Sequence, residues 1–215
     1  MKQFAVIGLG RFGTSVAGTL NMMGYEVLVM DKDEGRVNDL ADIVTHAVQV
    51  DAIEENSLKS LGIRNFDVVV VAIGHEIQSS ILITLMLKEM GVKKVVVKAA
   101  TELHGKVLRK IGADVVVFPE RDMGERVARM LVSENVIDQI NLSPDYSLVE
   151  LIAPADLTKK TLEESDLRNK YGVTVLAIRR GQEFIISPGA KESVFDGDIL
   201  IVIGKNEKLK KFEKR

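Results

Sequence analysis

The first 120 residues alternate short runs of β-branched residues with segments of about 10–15 residues that have helical periodicity. The runs are apolar almost throughout, which is typical of parallel strands buried on both faces. They are Phe4–Ile7, Glu26–Met30, His46–Val50, Val68–Ile73, Lys94–Val97 and Val115–Phe118. Strands that alternate with helices form βαβ units. The pattern therefore predicts an α/β domain with a doubly wound parallel sheet of six strands.

Three glycines with the spacing G-x-G-x-x-G, Gly8, Gly10 and Gly13, follow the first predicted strand and open a helix. In a dinucleotide-binding loop the first allows a tight turn, the second lets the backbone approach a pyrophosphate, and the third lets helix and strand pack closely. The helix N-terminus offers unpaired N–H groups to the phosphate. Asp31, at the end of the second strand, can accept hydrogen bonds from ribose hydroxyls, which disfavours a 2′-phosphate. These residues predict a Rossmann-like nucleotide site. The alternatives are an ordinary turn for the glycines and a capping or surface role for Asp31.

Arg11 lies inside this glycine loop. A guanidinium there can reach phosphate oxygens of its own nucleotide or of one bound to a neighbouring subunit. A solvated arginine is the alternative.

Further candidates follow from topology, because ligands of open parallel sheets lie beyond the carboxyl ends of the strands. These positions are Asp51 and Ala52 after the third strand, Gly74 and His75 after the fourth, Lys98 after the fifth and Glu120 after the sixth. Lys98 could contact a phosphate, and Glu120 could contact a metal ion that the phosphate also coordinates. Purely structural roles are equally compatible with the sequence.

Beyond Phe118 the pattern changes to a long predicted helix, Arg121 to about Val136, and then to short strands joined by turns. The polar cluster Asn141–Asp145 is a linker candidate. We therefore predict a nucleotide-binding domain over residues 1–140 and a small β-rich α+β domain over residues 141–215. The charged end, Lys205–Arg215, is expected to be a solvated helix or a frayed terminus.

Charge and composition exclude several classes of protein. The 29 basic and 31 acidic residues give a net charge of −2, without the basic excess of a nucleic-acid-binding surface. With no cysteine there is no disulfide framework, thiolate metal site or cysteine nucleophile. The longest apolar stretches, Val68–Ile73 and Ile81–Leu87, are far shorter than the ~20 residues that span a bilayer. We expect a soluble, cytoplasmic protein without a nucleic-acid partner.

Seven segments in both domains carry a resemblance to a known family. They are Phe4–Gly13, Ser60–Phe66, Val107–Asp114, Pro119–Gly124, Tyr146–Leu151, Lys170–Ile178 and Asp196–Gly204. With them the chain resembles the RCK (regulator of conductance of K+) family, specifically the cytosolic regulatory subunits of Ktr- and Trk-type potassium uptake systems. The glycine loop alone is shared with many dehydrogenases. The Gly-Arg-Phe-Gly form, the Pro-Glu-x-Asp-Met-Gly stretch and the small second domain are together more specific.

The resemblance implies a nonenzymatic regulator that binds ATP or ADP, as in the Ktr branch, or NAD(H), as in the Trk branch. It also implies a homo-oligomer, in which dimers form a cytosolic gating ring on the inner face of the membrane, bound to a subunit that translocates potassium. The family's nucleotide-site pattern falls on Gly8, Gly10, Arg11, Phe12, Gly13, Asp31, Asp51, Ala52, Gly74, Lys98 and Glu120, with His75 at a position where relatives vary. In the Ktr branch the residue at Glu120 contacts Mg2+ or another divalent cation. Some members bind cyclic di-AMP in the C-terminal domain, where Arg168 lies in the corresponding stretch.

The predicted helix Ile81–Leu87 supports assembly independently of the resemblance. It is apolar almost all round, whereas a helix that covers a sheet needs only one apolar stripe. We expect the surplus face to pack on another subunit, with coverage by the chain's own loops as the alternative.

An NAD-dependent oxidoreductase is the alternative function. Such an enzyme needs a proton-transfer group facing the nicotinamide, yet the second domain has no histidine, and Tyr146 and Tyr171 lie beside the linker and in a turn. The sequence leaves ATP/ADP and NAD(H) open. Arg11 and Glu120 favour ATP/ADP, because a terminal phosphate and its cation would use both.

Overall fold

The computed structural model describes residues 2–132 and 135–213. The chain forms two compact units, Met1–Arg121 and Asp122–Arg215. None of the helices in these described ranges is long and apolar enough to cross a membrane.

The first unit contains a parallel sheet in the order β3-β2-β1-β4-β5-β6. Its strands are β1 (Gln3–Ile7), β2 (Glu26–Asp31), β3 (His46–Gln49), β4 (Val68–Val71), β5 (Val95–Lys98) and β6 (Val115–Val117). Its helices are α1 (Arg11–Met22), α2 (Glu34–Ala41), α3 (Glu55–Ser60), α4 (Ile77–Glu89) and α5 (Glu102–Lys110), and α6 (Pro119–Val132) leads into the second unit. This is the strand order of a Rossmann fold. The predicted doubly wound α/β architecture is confirmed.

Two apolar layers enclose this sheet, because successive strand residues point to opposite faces. Ile7 and Val71 pack with Leu87 of α4 in one layer. Val6 and Val70, their chain neighbours, pack with Ala17 of α1 in the other. Because all the pairings in this sheet are parallel, the six carboxyl ends meet at one edge.

The second unit is built on an antiparallel sheet in the order β10-β9-β11-β8-β7. Its elements are β7 (Val136–Asn141), β8 (Tyr146–Ile152), α7 (Leu162–Ser165), α8 (Leu167–Tyr171), β9 (Val173–Arg180), β10 (Glu183–Ile186), β11 (Ile199–Lys205) and α9 (Asn206–Glu213). The predicted terminal helix is confirmed by α9 for the described part of Lys205–Arg215, but the prediction that it is solvated is wrong for one of its faces. Leu209 and Phe212 of α9 are buried in the core beside Leu200. Residues 214–215 lie outside the described residues.

The division between the units differs from the predicted one at residue 140. The polar cluster proposed as a linker joins β7 to β8, and these strands pair antiparallel with Asn141 opposite Ser147. That pairing ties β7 to the second sheet, and the chain divides earlier, between Arg121 and Asp122, inside α6.

Candidate functional site

A cleft of about 1210 Å³ opens at the carboxyl edge of the parallel sheet, within the first unit. The loops that follow its strands bring eleven of the predicted site residues onto this one cleft. They are Gly8, Gly10, Arg11, Phe12, Asp31, Asp51, Ala52, Gly74, His75, Lys98 and Glu120. Gly13 is the predicted residue that does not line it. What each residue binds stays a prediction.

The glycine loop has the close packing that the spacing predicts. Gly8 has φ of +93°, and its N–H donates to the Met30 carbonyl at 2.8 Å. A Cβ at Gly13 would lie 1.9 Å from the Gly8 carbonyl oxygen, so Gly13 allows the glycine loop to pack closely on α1. A Cβ at Gly10 would meet no atom within 4 Å, which leaves open space at the loop surface.

The N-terminus of α1 begins at this open surface. Gly10 is its N-cap and supplies no side-chain hydrogen bond, so the first-turn N–H groups need partners from outside the helix. Unpaired N–H groups and the helix dipole make such a terminus suited to a phosphate.

Asp31 is buried and already holds two backbone groups. One carboxylate oxygen accepts the Leu9 N–H at 2.6 Å, and the other accepts the Asp33 N–H at 2.9 Å. The Arg36 guanidinium lies 3.7 Å from the first oxygen. A carboxylate oxygen can accept more than one hydrogen bond, so ribose hydroxyls can still bind here. Asp31 therefore also fixes the glycine loop to the end of β2, a role that its position in the sequence does not reveal.

Lys98 and Glu120 form an ion pair on one wall of the cleft, with 2.5 Å between Lys98 Nζ and Glu120 Oε1. The hydrogen bond from Lys98 holds the pKa of Glu120 below its usual range. Lys98 Nζ also lies 5.9 Å from the centre of the Phe12 ring and would be 3.1 Å from a Cβ at Gly74. The ammonium group thus stands against the glycine loop, within the region that phosphates would occupy.

The donor set fits a divalent cation only together with a phosphorylated ligand. Within residues 2–132 and 135–213, no three histidine or acidic side chains come together as a metal site. Glu120 offers a single carboxylate, and Mg2+ is commonly held by one or two carboxylates with phosphate oxygens and water.

Sequence reasoning missed seven polar residues that line the cleft. They are Thr14, Ser15, Lys32, Asp33, Arg36, Glu76 and Ser79. Lys32 and Glu76 directly follow the candidates Asp31 and His75, so their loop positions were a usable signal. Arg36 lies in the first turn of α2, and only the three-dimensional structure shows that it reaches the cleft.

Comparison with known proteins identifies the family. Residues 4–119 match the TrkA-N domain and residues 147–215 match the TrkA-C domain. Over 214 residues, 100% of this chain and 97% of its relative, the sequence is 54% identical to Ktr system potassium uptake protein C of Bacillus subtilis. The chain belongs to the Ktr family of potassium uptake proteins. Another Ktr relative, Ktr system potassium uptake protein A of the same bacterium, is 49% identical over 99% of this chain and 96% of its own length.

The predicted family resemblance is therefore confirmed for this Ktr chain. Among solved structures, the GsuK channel aligns with 99% of the chain and 39% of its own chain, with a TM-score of 0.71 and 15% identity. That likeness shows the fold. The oxidoreductase alternative is not favoured, because the relatives are potassium uptake proteins.

Proposed function

We propose that this chain is the nucleotide-sensing regulatory subunit of a potassium uptake system. It binds an adenine nucleotide in the cleft, and the bound nucleotide sets the activity of a separate membrane subunit that translocates potassium. The observation that carries the proposal is the uncapped N-terminus of α1 beside Asp31 on one cleft, in a chain 54% identical to a Ktr potassium uptake protein. In this role the chain catalyses no reaction.

ATP and ADP suit the cleft better than NAD(H). Arg11 is exposed at the loop surface, and Lys98 stands against the loop, so two cations can meet a terminal phosphate. When the nucleotide binds, the Lys98–Glu120 ion pair opens. Lys98 then contacts the terminal phosphate, and Glu120 contacts a divalent cation, Mg2+ for example, that the oxygens of this phosphate also coordinate. The nicotinamide half of a dinucleotide would use neither feature.

The chain forms dimers that assemble into a homo-oligomeric gating ring. The ring lies at the cytoplasmic side of the membrane, where it binds the partner subunit. Cyclic di-AMP binding in the second unit stays a prediction from the family resemblance. Arg168, its candidate residue, lies exposed on α8.

Calorimetric titration with ADP, ATP and NADH tests the nucleotide site. Asp31→Ala should weaken binding by ~1–3 kcal/mol, because ribose hydroxyls lose their acceptor and the buried Leu9 N–H is left unpaired. Asp39→Ala removes an exposed carboxylate of α2 outside the cleft and should bind like the wild type. Equal affinity of wild type and Asp31→Ala for every ligand would remove Asp31 from the site.

Potassium flux tests the regulation. The chain is reconstituted in liposomes with its membrane subunit, and flux is measured with ATP, ADP, NADH or no nucleotide. We expect ATP and ADP to give different fluxes. Equal fluxes under all four conditions would contradict the regulatory role even if nucleotides bind.

A further inference from the structure

An ion pair crosses the cleft between two loops that are distant in sequence. Lys32 follows β2, Glu76 precedes α4 in the loop after β4, and Lys32 Nζ lies 2.6 Å from Glu76 Oε1. Strand β1 lies between β2 and β4, so these loops start about 10 Å apart, at two strand spacings. The two side chains therefore reach towards each other across the carboxyl end of β1, where the glycine loop begins. We call this pair the Lys32–Glu76 strap.

Both ends of the strap are held by further contacts. The second carboxylate oxygen of Glu76 accepts the Ser79 hydroxyl at 3.0 Å, in the first turn of α4. The backbone carbonyl of Lys32 accepts the side-chain amide of Gln49 at 3.2 Å, at the end of β3. These two hydrogen bonds therefore hold Glu76 against the start of α4 and Lys32 against the end of β3.

The strap is charged at neutral pH and exposed. The hydrogen bond with Glu76 raises the pKa of Lys32, and the same bond lowers the pKa of Glu76. The side chains are 62% and 52% exposed, and exposed ion pairs contribute little to stability. A contact of this kind opens easily, which suits a moving closure better than a structural clamp.

The position of the strap identifies what it covers. Lys32 directly follows Asp31, the candidate ribose acceptor, and Lys32, Glu76 and Ser79 all line the cleft. The adenosine half of a nucleotide held by Asp31 would lie beside the strap, whichever phosphates follow.

We infer that the Lys32–Glu76 strap opens to admit the nucleotide and closes again over its adenosine half. This inference rests on the proposed nucleotide site. The strap slows association, because only the open form admits a ligand, and it slows release by the same factor, because the bound ligand leaves only from the open form. It governs exchange rates and leaves the equilibrium affinity nearly unchanged.

Surface plasmon resonance with the full chain immobilised measures both rates for ADP, with NADH in a parallel run. Lys32→Ala removes one end of the strap, and Glu76→Gln removes the other charge while its amide oxygen can still accept the Ser79 hydroxyl. Each should raise the association and dissociation rate constants together by about two- to fivefold, the effect of losing one weak surface pair. The charge-swapped variant, Lys32→Glu with Glu76→Lys, should return both rates towards wild type.

The two single variants distinguish an effect of the strap on the rates from electrostatic steering of the ligand. Steering would make association of the anionic ADP slower in Lys32→Ala and faster in Glu76→Gln, whereas the strap makes both faster. Lys93→Ala is the matched control. It breaks an exposed inter-loop pair with Asp67 (2.8 Å) at the amino edge of the sheet and should leave both rates unchanged.

Unchanged rates in both variants would overturn the strap, as would opposite changes in association. A rise in dissociation alone would show direct contact with the ligand and also overturn it. If neither ADP nor NADH binds the wild type, the proposed nucleotide site fails and the strap with it. Normal wild-type binding with unchanged variant rates refutes the strap alone.

Discussion

Two glycines of α1 differ sharply in the space around them, although both lie in the same helix. At Gly13 a Cβ would lie 1.9 Å from the Gly8 carbonyl oxygen and 3.1 Å from Ala72 Cβ. At Gly18 a Cβ would meet no atom within 4 Å. The first position holds loop and helix together, and the second is open to a side chain.

Gly13→Ala should therefore destabilise the chain and abolish nucleotide binding, because the glycine loop must move away from α1. Gly18→Ala should keep binding and raise the free energy of unfolding by ~0.5–1 kcal/mol, since alanine is the better helix former. Urea unfolding and ADP titration of both variants check this. A Gly13→Ala protein with wild-type stability and binding would contradict the loop geometry.

We expect His104 to make the stability of the first unit depend on pH. Its side chain is 2% exposed in the first turn of α5, and its Nδ1 accepts the Ala100 N–H at 3.3 Å. Burial lowers the pKa of this imidazole, so the folded chain resists protonation. The unfolded chain takes up a proton at about pH 6.5. As the pH falls below that value, the unfolded state binds a proton that the folded state does not bind, and the free energy of unfolding therefore decreases.

Urea unfolding between pH 8 and pH 5 should show this loss in the wild type. His104→Gln should have a smaller loss across the same range, whatever its stability at pH 8. His46→Gln replaces an exposed histidine and should keep the wild-type dependence. Parallel curves for wild type and His104→Gln would exclude His104 as the cause.

At the scale of elements, the parallel sheet could be predicted because its signals are local. Runs of β-branched residues between helical segments give each strand, and the topology rule places the ligand at their carboxyl ends. The β-rich second domain after Phe118 was also predicted, and its five-stranded sheet confirms it, but the end of the helix that leads into it could not be predicted from local signals. The predicted helix extends to about Val136, whereas α6 ends at Val132 and β7 begins at Val136, with residues 133–134 outside the described part. Pairing with β8 decides that segment, and pairing is not a local property.

The ion pairs of the cleft likewise could not be predicted from the sequence. The topology brings the loops of Lys98 and Glu120, and of Lys32 and Glu76, to one edge. Which side chains meet there depends on side-chain direction and on competing partners, such as the Leu9 and Asp33 N–H groups that bind Asp31. Residue types at strand ends could predict the cleft, but not which of its side chains pair with one another.

The helix α4 shows less surplus apolar surface than its sequence indicates. Met86 and Leu87 of Ile81–Leu87 are buried within the first unit. Leu82 and Leu85 remain 43% and 37% exposed. Within Ile81–Leu87, these two leucines are the exposed large apolar side chains that a subunit contact could bury.

Replacing Leu82 and Leu85 together with lysine should therefore reduce larger assemblies to dimers in light scattering, because four-carbon ammonium side chains cannot stay buried there unpaired. The matched control is the double variant Met22→Lys with Met23→Lys, which changes two exposed residues at the end of α1. It should keep the wild-type mass. A wild-type monomer at micromolar concentration would refute assembly altogether.

For the whole molecule, regulation requires that nucleotides bind its alternative conformations with different affinities. A ligand with equal affinity for two states shifts neither, however tightly it binds. The γ-phosphate is the chemical difference between ATP and ADP, so the coupling residue should be one that reaches it. Arg11 is exposed on the cleft and has no ion pair within residues 2–132 and 135–213. Its guanidinium is therefore available to that phosphate, in its own subunit or in a neighbouring one.

Arg11→Ala should retain ADP affinity and lose most of the discrimination between ATP and ADP, because only the γ-phosphate contact disappears. In liposomes with the membrane subunit, the variant should also lose ATP activation of potassium flux. Arg64→Ala removes an exposed arginine outside the cleft and should behave like the wild type in both assays. Full ATP-dependent flux with Arg11→Ala would show that another residue couples the nucleotide to the membrane subunit. If neither ATP nor ADP alters flux with the wild type while NADH does, the regulatory role stands and the ligand is the dinucleotide.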